Sequence, residues 1–165
     1  MTDTATKQAE QLAELFIKTS SKLVTAESCT GGGLAETLTR IPGSSAWFER
    51  GYVTYSNESK QELLSVPSET LEQFGAVSEE TAIAMAEGAL ENSHADYSVA
   101  ITGIAGPVGG TEDKPVGTVC FAWSKRNEGG NTTRIHFEGD RQNIREQACM
   151  LAMQGLIDML QKVSD

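Results

Sequence analysis

The sequence predicts a layered α/β domain whose sheet is mixed. Three observations carry that expectation. Segments with helically spaced apolar residues alternate with short runs of β-formers, a pattern that favours helices packed on a sheet over a bundle or a sandwich. The stretch "DYSVAITGIAG" is an apolar run of the kind that forms a strand buried on both faces before it ends in a glycine loop. The last two strand-like segments, "GTVCFAWSK" and "TTRIHFEG", have hairpin-like spacing, which adds antiparallel pairing to the sheet. At 165 residues the chain is expected to be one domain, 1–165, long enough to bury a core without disulfides or metals.

Each element follows from local pattern. Ala9, Leu12, Ala13, Leu15 and Phe16 recur at helical spacing, so the chain begins with an amphipathic helix. "KLVTAES" is a short strand. Gly31 to Gly33 open a helix over "GLAETLTRI", which Pro42 and Gly43 end because proline cannot continue the hydrogen-bond ladder. "WFERGYVTYS" alternates and is rich in β-formers, so a second strand is expected across it. The pattern turns helical in "SNESKQELLSV" and again in "SEETAIAMAEGALENS", where Ser78 and Thr81 supply capping chemistry. Three strands follow in "DYSVAITGIAG", "GTVCFAWSK" and "TTRIHFEG", then a long helix from about Arg141 to Val163. There are five strands in all.

Composition narrows the function. A formal net charge of −10, with no basic run to offset it, argues against nucleic acid as a partner. No segment approaches the roughly 20 apolar residues that span a bilayer, so no membrane partner is expected. The opening "MTDTATKQAEQLAELF" lacks a basic stretch followed by an apolar core, from which a cytoplasmic location is expected. Cys29, Cys120 and Cys149 lie far apart without a CxxC pair, so neither a disulfide framework nor a metal site is indicated. No cofactor is expected either.

Chemistry concentrates in "ESCTGGG", "YSNESK" and "TGIAGPVGG". Ligands of open α/β sheets bind outside the carboxyl ends of strands, where these loops converge if they share one edge. In the first, a strand gives way to a helix through small nucleophiles and glycines. Ser28 is a candidate nucleophile, and N–H groups near Thr30 to Gly32 are candidate donors to an oxyanion or ligand. Cys29 is its rival, but a thiol needs a histidine or other positive neighbour, and only His94 and His136 exist, one near a helix end and one within a strand. A serine without histidine needs another base. Lys60 serves if burial lowers its pKa, and Tyr55 can relay a proton or orient the serine. The glycines after Thr102 let backbone approach a phosphate or sugar, although neither a Walker A loop nor a GxGxxG is present. Arg141, at the start of the last helix, is a candidate phosphate partner.

Taken together, "TAESCTGG", "GSSAWFERGYVTYSNESK", "GAVSEETA", "ITGIAGPVGG", "KPVGTVCFA" and "GDR" resemble the C-terminal domain of the CinA family over nearly the whole chain. The resemblance implies a three-layer α/β/α fold with a mixed five-stranded sheet. It implies Ser28, Tyr55 and Lys60 as catalytic residues, which resolves the contest between Ser28 and Cys29. For a chain without the longer members' N-terminal nucleotide-processing domain, it implies deamidation of nicotinamide mononucleotide in pyridine-nucleotide recycling, by a homodimer. Motif position and the physical argument together extend the substrate contacts to Thr30, Gly31, Thr102, Gly103, Ala105, Gly106 and Arg141. Two other readings stand beside this one: a non-catalytic nucleotide-binding module using the same loops, and an interaction domain.

Overall fold

The structure, a computed structural model, describes residues 3–164. The chain runs α1 (Asp3–Thr19), β1 (Leu23–Glu27), α2 (Gly33–Thr39), a single 3-10 turn (Ser44–Ala46), β2 (Phe48–Val53), α3 (Asn57–Leu64), α4 (Ser68–Phe74), α5 (Glu79–Glu91), β3 (Tyr97–Gly103), β4 (Thr118–Lys125), β5 (Gly129–His136) and α6 (Arg141–Ser164). The five strands form one sheet in the order β2-β1-β3-β4-β5. β1 pairs in parallel with β2 and β3, while β3–β4 and β4–β5 are antiparallel. The sheet is therefore mixed, as the hairpin-like spacing of the last two strands implied.

Two apolar layers sandwich it. Leu12 and Phe16 of α1, Leu34 and Leu38 of α2, and Met153 and Leu156 of α6 pack on Leu23, Val99, Ile101 and Phe121. On the opposite face, Leu64 of α3, Leu71 of α4 and Met85 and Ala89 of α5 pack on Val24, Ala26, Ala100 and Ala122. Side chains alternate across a strand with a period of two, so β1 sends Leu23, Thr25 and Glu27 towards the α1/α2/α6 layer. Ser28, the next position, then shares the face of Val24 and Ala26. That alternation determines which helix each site residue meets.

The bounds of several elements differ from the sequence expectation. Trp47 lies outside the strand because its ring stacks on Phe16 at 5.4 Å with planes 2° apart, a core contact with α1 that starts β2 at Phe48. At its other end, Thr54 still donates to Glu27 O at 2.8 Å, after which Ser56 caps α3 by accepting from Ser59 N. Helix α4 went unexpected, since "SETLEQF" buries only Leu71 and so carries no periodic signal. β5 begins at Gly129, three residues early, because β4 supplies a ladder as far as Lys125, which pairs with Gly129. Among the described residues no helix is long and apolar enough to cross a membrane.

Candidate active site

The parallel strands β1, β2 and β3 all end at one edge of the sheet, and the loops after β1 and β3 depart in opposite directions there. Such a divergence opens a crevice between them. Ser28 follows β1 directly, and its N–H donates to Ile101 O of β3 at 2.9 Å, which fixes the serine to the sheet. Beyond it the backbone turns tightly: Gly31 N donates to Ser28 O and Gly33 N to Thr30 O, both at 2.9 Å. Gly31 and Gly32 have φ of 59° and 99°, left-handed values that a side chain resists. The glycines therefore let a strand become a helix across the five residues 28–32.

Gly32 occupies the N-cap of α2 and has no side chain to cap it. Glu27, the last residue of β1, does so instead. Its carboxylate is 1% exposed and accepts from Thr30 Oγ1 at 2.6 Å, Leu34 N at 2.9 Å and Ala35 N at 3.1 Å. An anion of the substrate thus finds those two helix N–H groups already taken. The N–H groups of Cys29 and Thr30, by contrast, donate to no acceptor among the described residues. They remain available.

Lys60 comes from α3 on the other face of the sheet, the face Ser28 shares. Its side chain is 1% exposed, and its Nζ lies 3.1 Å from Ser28 Oγ, 2.9 Å from Thr54 O and 3.2 Å from Tyr55 O. Among the described residues no carboxylate forms an ion pair with it. Burial pushes its pKa below the ordinary lysine range, because a desolvated ammonium is costly; the charge of a Cys29 thiolate would act the other way. A neutral amine has two N–H bonds and one lone pair. The two carbonyls can only accept, so they take the two N–H bonds and the lone pair is left for the serine hydroxyl.

Ser28, Cys29, Tyr55, Lys60, Ala76, Val77, Thr102, Gly103, Ala105 and Arg141 line a cavity of about 180 Å³. A larger groove of about 630 Å³ adjoins it, lined by Thr30, Gly31, Arg40, Arg145 and others, and Arg141 borders both. Thr102 is 1% exposed and donates to Ala76 O at 2.8 Å, which pins the apolar Ala76–Val77 wall to β3. Gly103 permits the close approach of β4 and of the Cys29 side chain: a Cβ there would lie 2.8 Å from Val119 Cγ2 and 3.1 Å from Cys29 Sγ. Arg141 donates to Gly106 O at 2.7 Å and to the Tyr55 hydroxyl at 3.2 Å, joining the loops after β2 and β3.

The expected site residues therefore gather at one strand edge, but their roles divide. The Tyr55 ring is 61% exposed and its hydroxyl pairs with Arg141; the Tyr55 group that meets Lys60 is the backbone carbonyl. The hydroxyl of Thr30 is turned inwards to Glu27, which leaves its N–H as the group for a ligand. Gly106 enters through its carbonyl alone. His136 contacts Val116 O, and neither His94 nor His136 lines either cavity. The Cys29 thiol is pushed up to about 12, by burial first and by the Glu27 charge second. Among the described residues no group of three or more His, Cys, Asp or Glu is placed to hold a metal ion.

Four contributors escaped the sequence reading. Glu27 sits in the quoted "ESCTGGG" but gave no sign that it would reach seven residues ahead to α2. Arg145 donates to Cys29 O and Thr30 O, both at 3.1 Å, from α6. Its one signal was its place four residues after Arg141, on the same helix face. Ala76 and Val77 belong to "GAVSEETA", a motif whose role as the cavity wall depends on folding around Thr102.

A family model described as the CinA C-terminal domain matches residues 5–160. A protein named nicotinamide-nucleotide amidohydrolase PncC from Escherichia coli (strain K12) is 52% identical over 157 residues, covering 94% of this chain and 95% of that one. The protein of the same name from Pseudomonas putida is 48% identical over 157 residues, 95% of this chain and 98% of its own. The crystal structure of a CinA superfamily protein from Klebsiella pneumoniae 700603 superposes with a TM-score of 0.92 at 39% identity, covering 96% of this chain and 98% of that one. A competence/damage inducible protein from Agrobacterium tumefaciens gives a TM-score of 0.90 at 43% identity, with 96% of both chains covered.

Proposed function

The chain belongs to the CinA C-terminal domain family, and from that premise we propose that it hydrolyses the carboxamide of nicotinamide mononucleotide, giving nicotinate mononucleotide and ammonia. Relatives of nearly the same length, about half identical to it, bear the name of that activity. The observation that carries the reading is the contact of Lys60 Nζ with Ser28 Oγ at 3.1 Å, made in a buried setting that favours the neutral amine.

In this mechanism the carboxamide enters the small cavity, between Ser28 and the Ala76–Val77 wall. Ser28 Oγ attacks the carbonyl carbon while Lys60 Nζ takes the hydroxyl proton, a nucleophile and base pairing that dispenses with histidine. Negative charge then develops on the carbonyl oxygen, and the Cys29 and Thr30 N–H groups supply donors for it, the first being the N–H that follows the nucleophile. Collapse breaks the C–N bond, and the Lys60 ammonium returns the proton to the departing nitrogen, releasing ammonia. Water, losing a proton to Lys60, hydrolyses the acyl-serine ester and frees Ser28. One amide and one water thus become one carboxylic acid and one ammonia.

The remainder of the substrate extends towards the larger groove, with its phosphate at Arg141 on the border between the two. Tyr55 contributes its carbonyl to Lys60 and its hydroxyl to Arg141. We place the reaction in pyridine-nucleotide recycling and the chain in a homodimer, for which light scattering of the purified protein is the check. Incubating the protein with nicotinamide mononucleotide and following both products by mass spectrometry and ammonia assay tests the activity: equal yields of nicotinate mononucleotide and ammonia are expected, and unaltered substrate would refute it.

A further inference from the structure

We propose that Glu27 is the positioning residue of the nucleophile turn, occupying the leading N–H groups of α2 from outside the helix so that the turn's own N–H groups stay free for the oxyanion. The proposal rests on the amidohydrolase reading and adds to it a residue that touches neither substrate nor base. A conventional Ser, Thr or Asp cap at position 32 would place a side chain on the residue that must turn left-handed at φ 99°. Capping from β1 removes that conflict. The cap and the nucleophile are then adjacent residues on opposite faces of the same strand end, so fixing Glu27 also fixes Ser28 towards Lys60.

The turn is held on both sides. Glu27 binds the Thr30 hydroxyl and the Leu34 and Ala35 amides, while Arg145 binds the carbonyls of Cys29 and Thr30. The Thr30 hydroxyl and the Cys29 and Thr30 carbonyls are thereby satisfied, whereas the Cys29, Thr30 and Gly32 N–H groups have no acceptor among the described residues; the first two serve the proposed tetrahedral intermediate. A buried carboxylate is tolerated because three hydrogen bonds and the positive end of a helix receive it. Glutamine cannot replace it fully, since one of its ends carries N–H groups and would face an N–H donor of α2. Burial first, and the Glu27 charge second, push the neighbouring Cys29 thiol up, while Arg145 and Lys60 act the other way.

The test compares wild type with Glu27→Gln and the shorter Glu27→Asp on nicotinamide mononucleotide. Both variants are expected to fold, by circular dichroism, and to lose about 100-fold in kcat, the scale of losing aligned oxyanion donors. KM is expected to stay within about threefold and the acid limb of the kcat profile to stay in place, because Glu27 touches neither substrate nor Lys60. Two readouts need no turnover: amide exchange at Leu34 and Ala35 is expected to accelerate, and Cys29 in Glu27→Gln to be alkylated faster by iodoacetamide at a given pH. Unchanged kcat, a rise confined to KM, or variants that both fail to fold would each overturn the proposal. If wild type itself releases no ammonia, the deamidase reading fails separately; unchanged exchange at Leu34 and Ala35 would still overturn the cap.

Discussion

Lys60 Nζ lies 3.1 Å from Ser28 Oγ, bringing an amine from α3 onto a serine 32 positions earlier in the chain. The same nitrogen is held by the carbonyls of Thr54 and Tyr55, just before its own helix. Among the described residues that line the small cavity no other base faces the serine: neither histidine is among them, and the neighbouring thiol is held protonated. In the proposed mechanism the pair is a nucleophile and its base in one contact.

Activity should follow the protonation of Lys60. The base must be neutral, and its pKa is lowered by burial, so kcat rises with pH and reaches its plateau below the ordinary lysine range near 10.4. Lys60→Met, and equally Lys60→Arg, whose guanidinium does not deprotonate, should lose about 10³-fold or more in kcat. A pH–rate profile of the three proteins checks this; an acid limb retained in Lys60→Met would assign the base elsewhere.

The same shift makes a stability statement. Because the folded pKa of Lys60 is below the unfolded one, the unfolded chain binds more protons between the two values, and stability rises with pH across that window. The cost of burying the lysine is complete below its folded pKa and gone above about 10.4. Urea unfolding from neutral pH upward should show wild type gaining on Lys60→Met as pH rises. A constant difference would show that Lys60 titrates alike in both states.

Cys29 is next to the proposed nucleophile, Ser28, but should not replace it. Its thiol is pushed up to about 12, so the nucleophilic thiolate is scarce at neutral pH. Cys29→Ala should lose no more than about tenfold in kcat and keep the acid limb of wild type. Loss on the scale of a missing nucleophile, measured under the same conditions, would reverse the roles of the two residues.

Arg141 joins Tyr55 to Gly106 and borders both cavities, a position suited to a phosphate. Arg141→Ala should raise KM about tenfold or more with a smaller change in kcat, and Tyr55→Phe should shift KM in the same direction by less. Steady-state kinetics decide. If Tyr55→Phe instead removes the acid limb, its hydroxyl is part of the proton path.

How legible this was depended on distance along the chain. Strand β3 was readable because "YSVAITG" carries apolar residues on both faces, and the helix over α5 because Ser78 caps it by accepting from Thr81 N. Helix α4 was not, for seven residues with one buried leucine leave no period to detect. Ser28, Tyr55 and Lys60 could be named from local motifs, yet their contacts depend on strand order, which no local pattern encodes. Tyr55 illustrates the limit: the sequence offered its hydroxyl for a relay, whereas β2 and α3 present its carbonyl to Lys60 and its hydroxyl to Arg141. Glu27 escaped notice because its partners lie ahead in the next helix and on the opposite face of the sheet from Lys60.

The most direct test of the account is ammonia release from nicotinamide mononucleotide by wild type and by Ser28→Ala, with folding of the variant verified by circular dichroism. The account predicts release by wild type and none above background from Ser28→Ala. Release by both proteins would contradict the serine mechanism, and release by neither would leave a nucleotide-binding module in place of an enzyme.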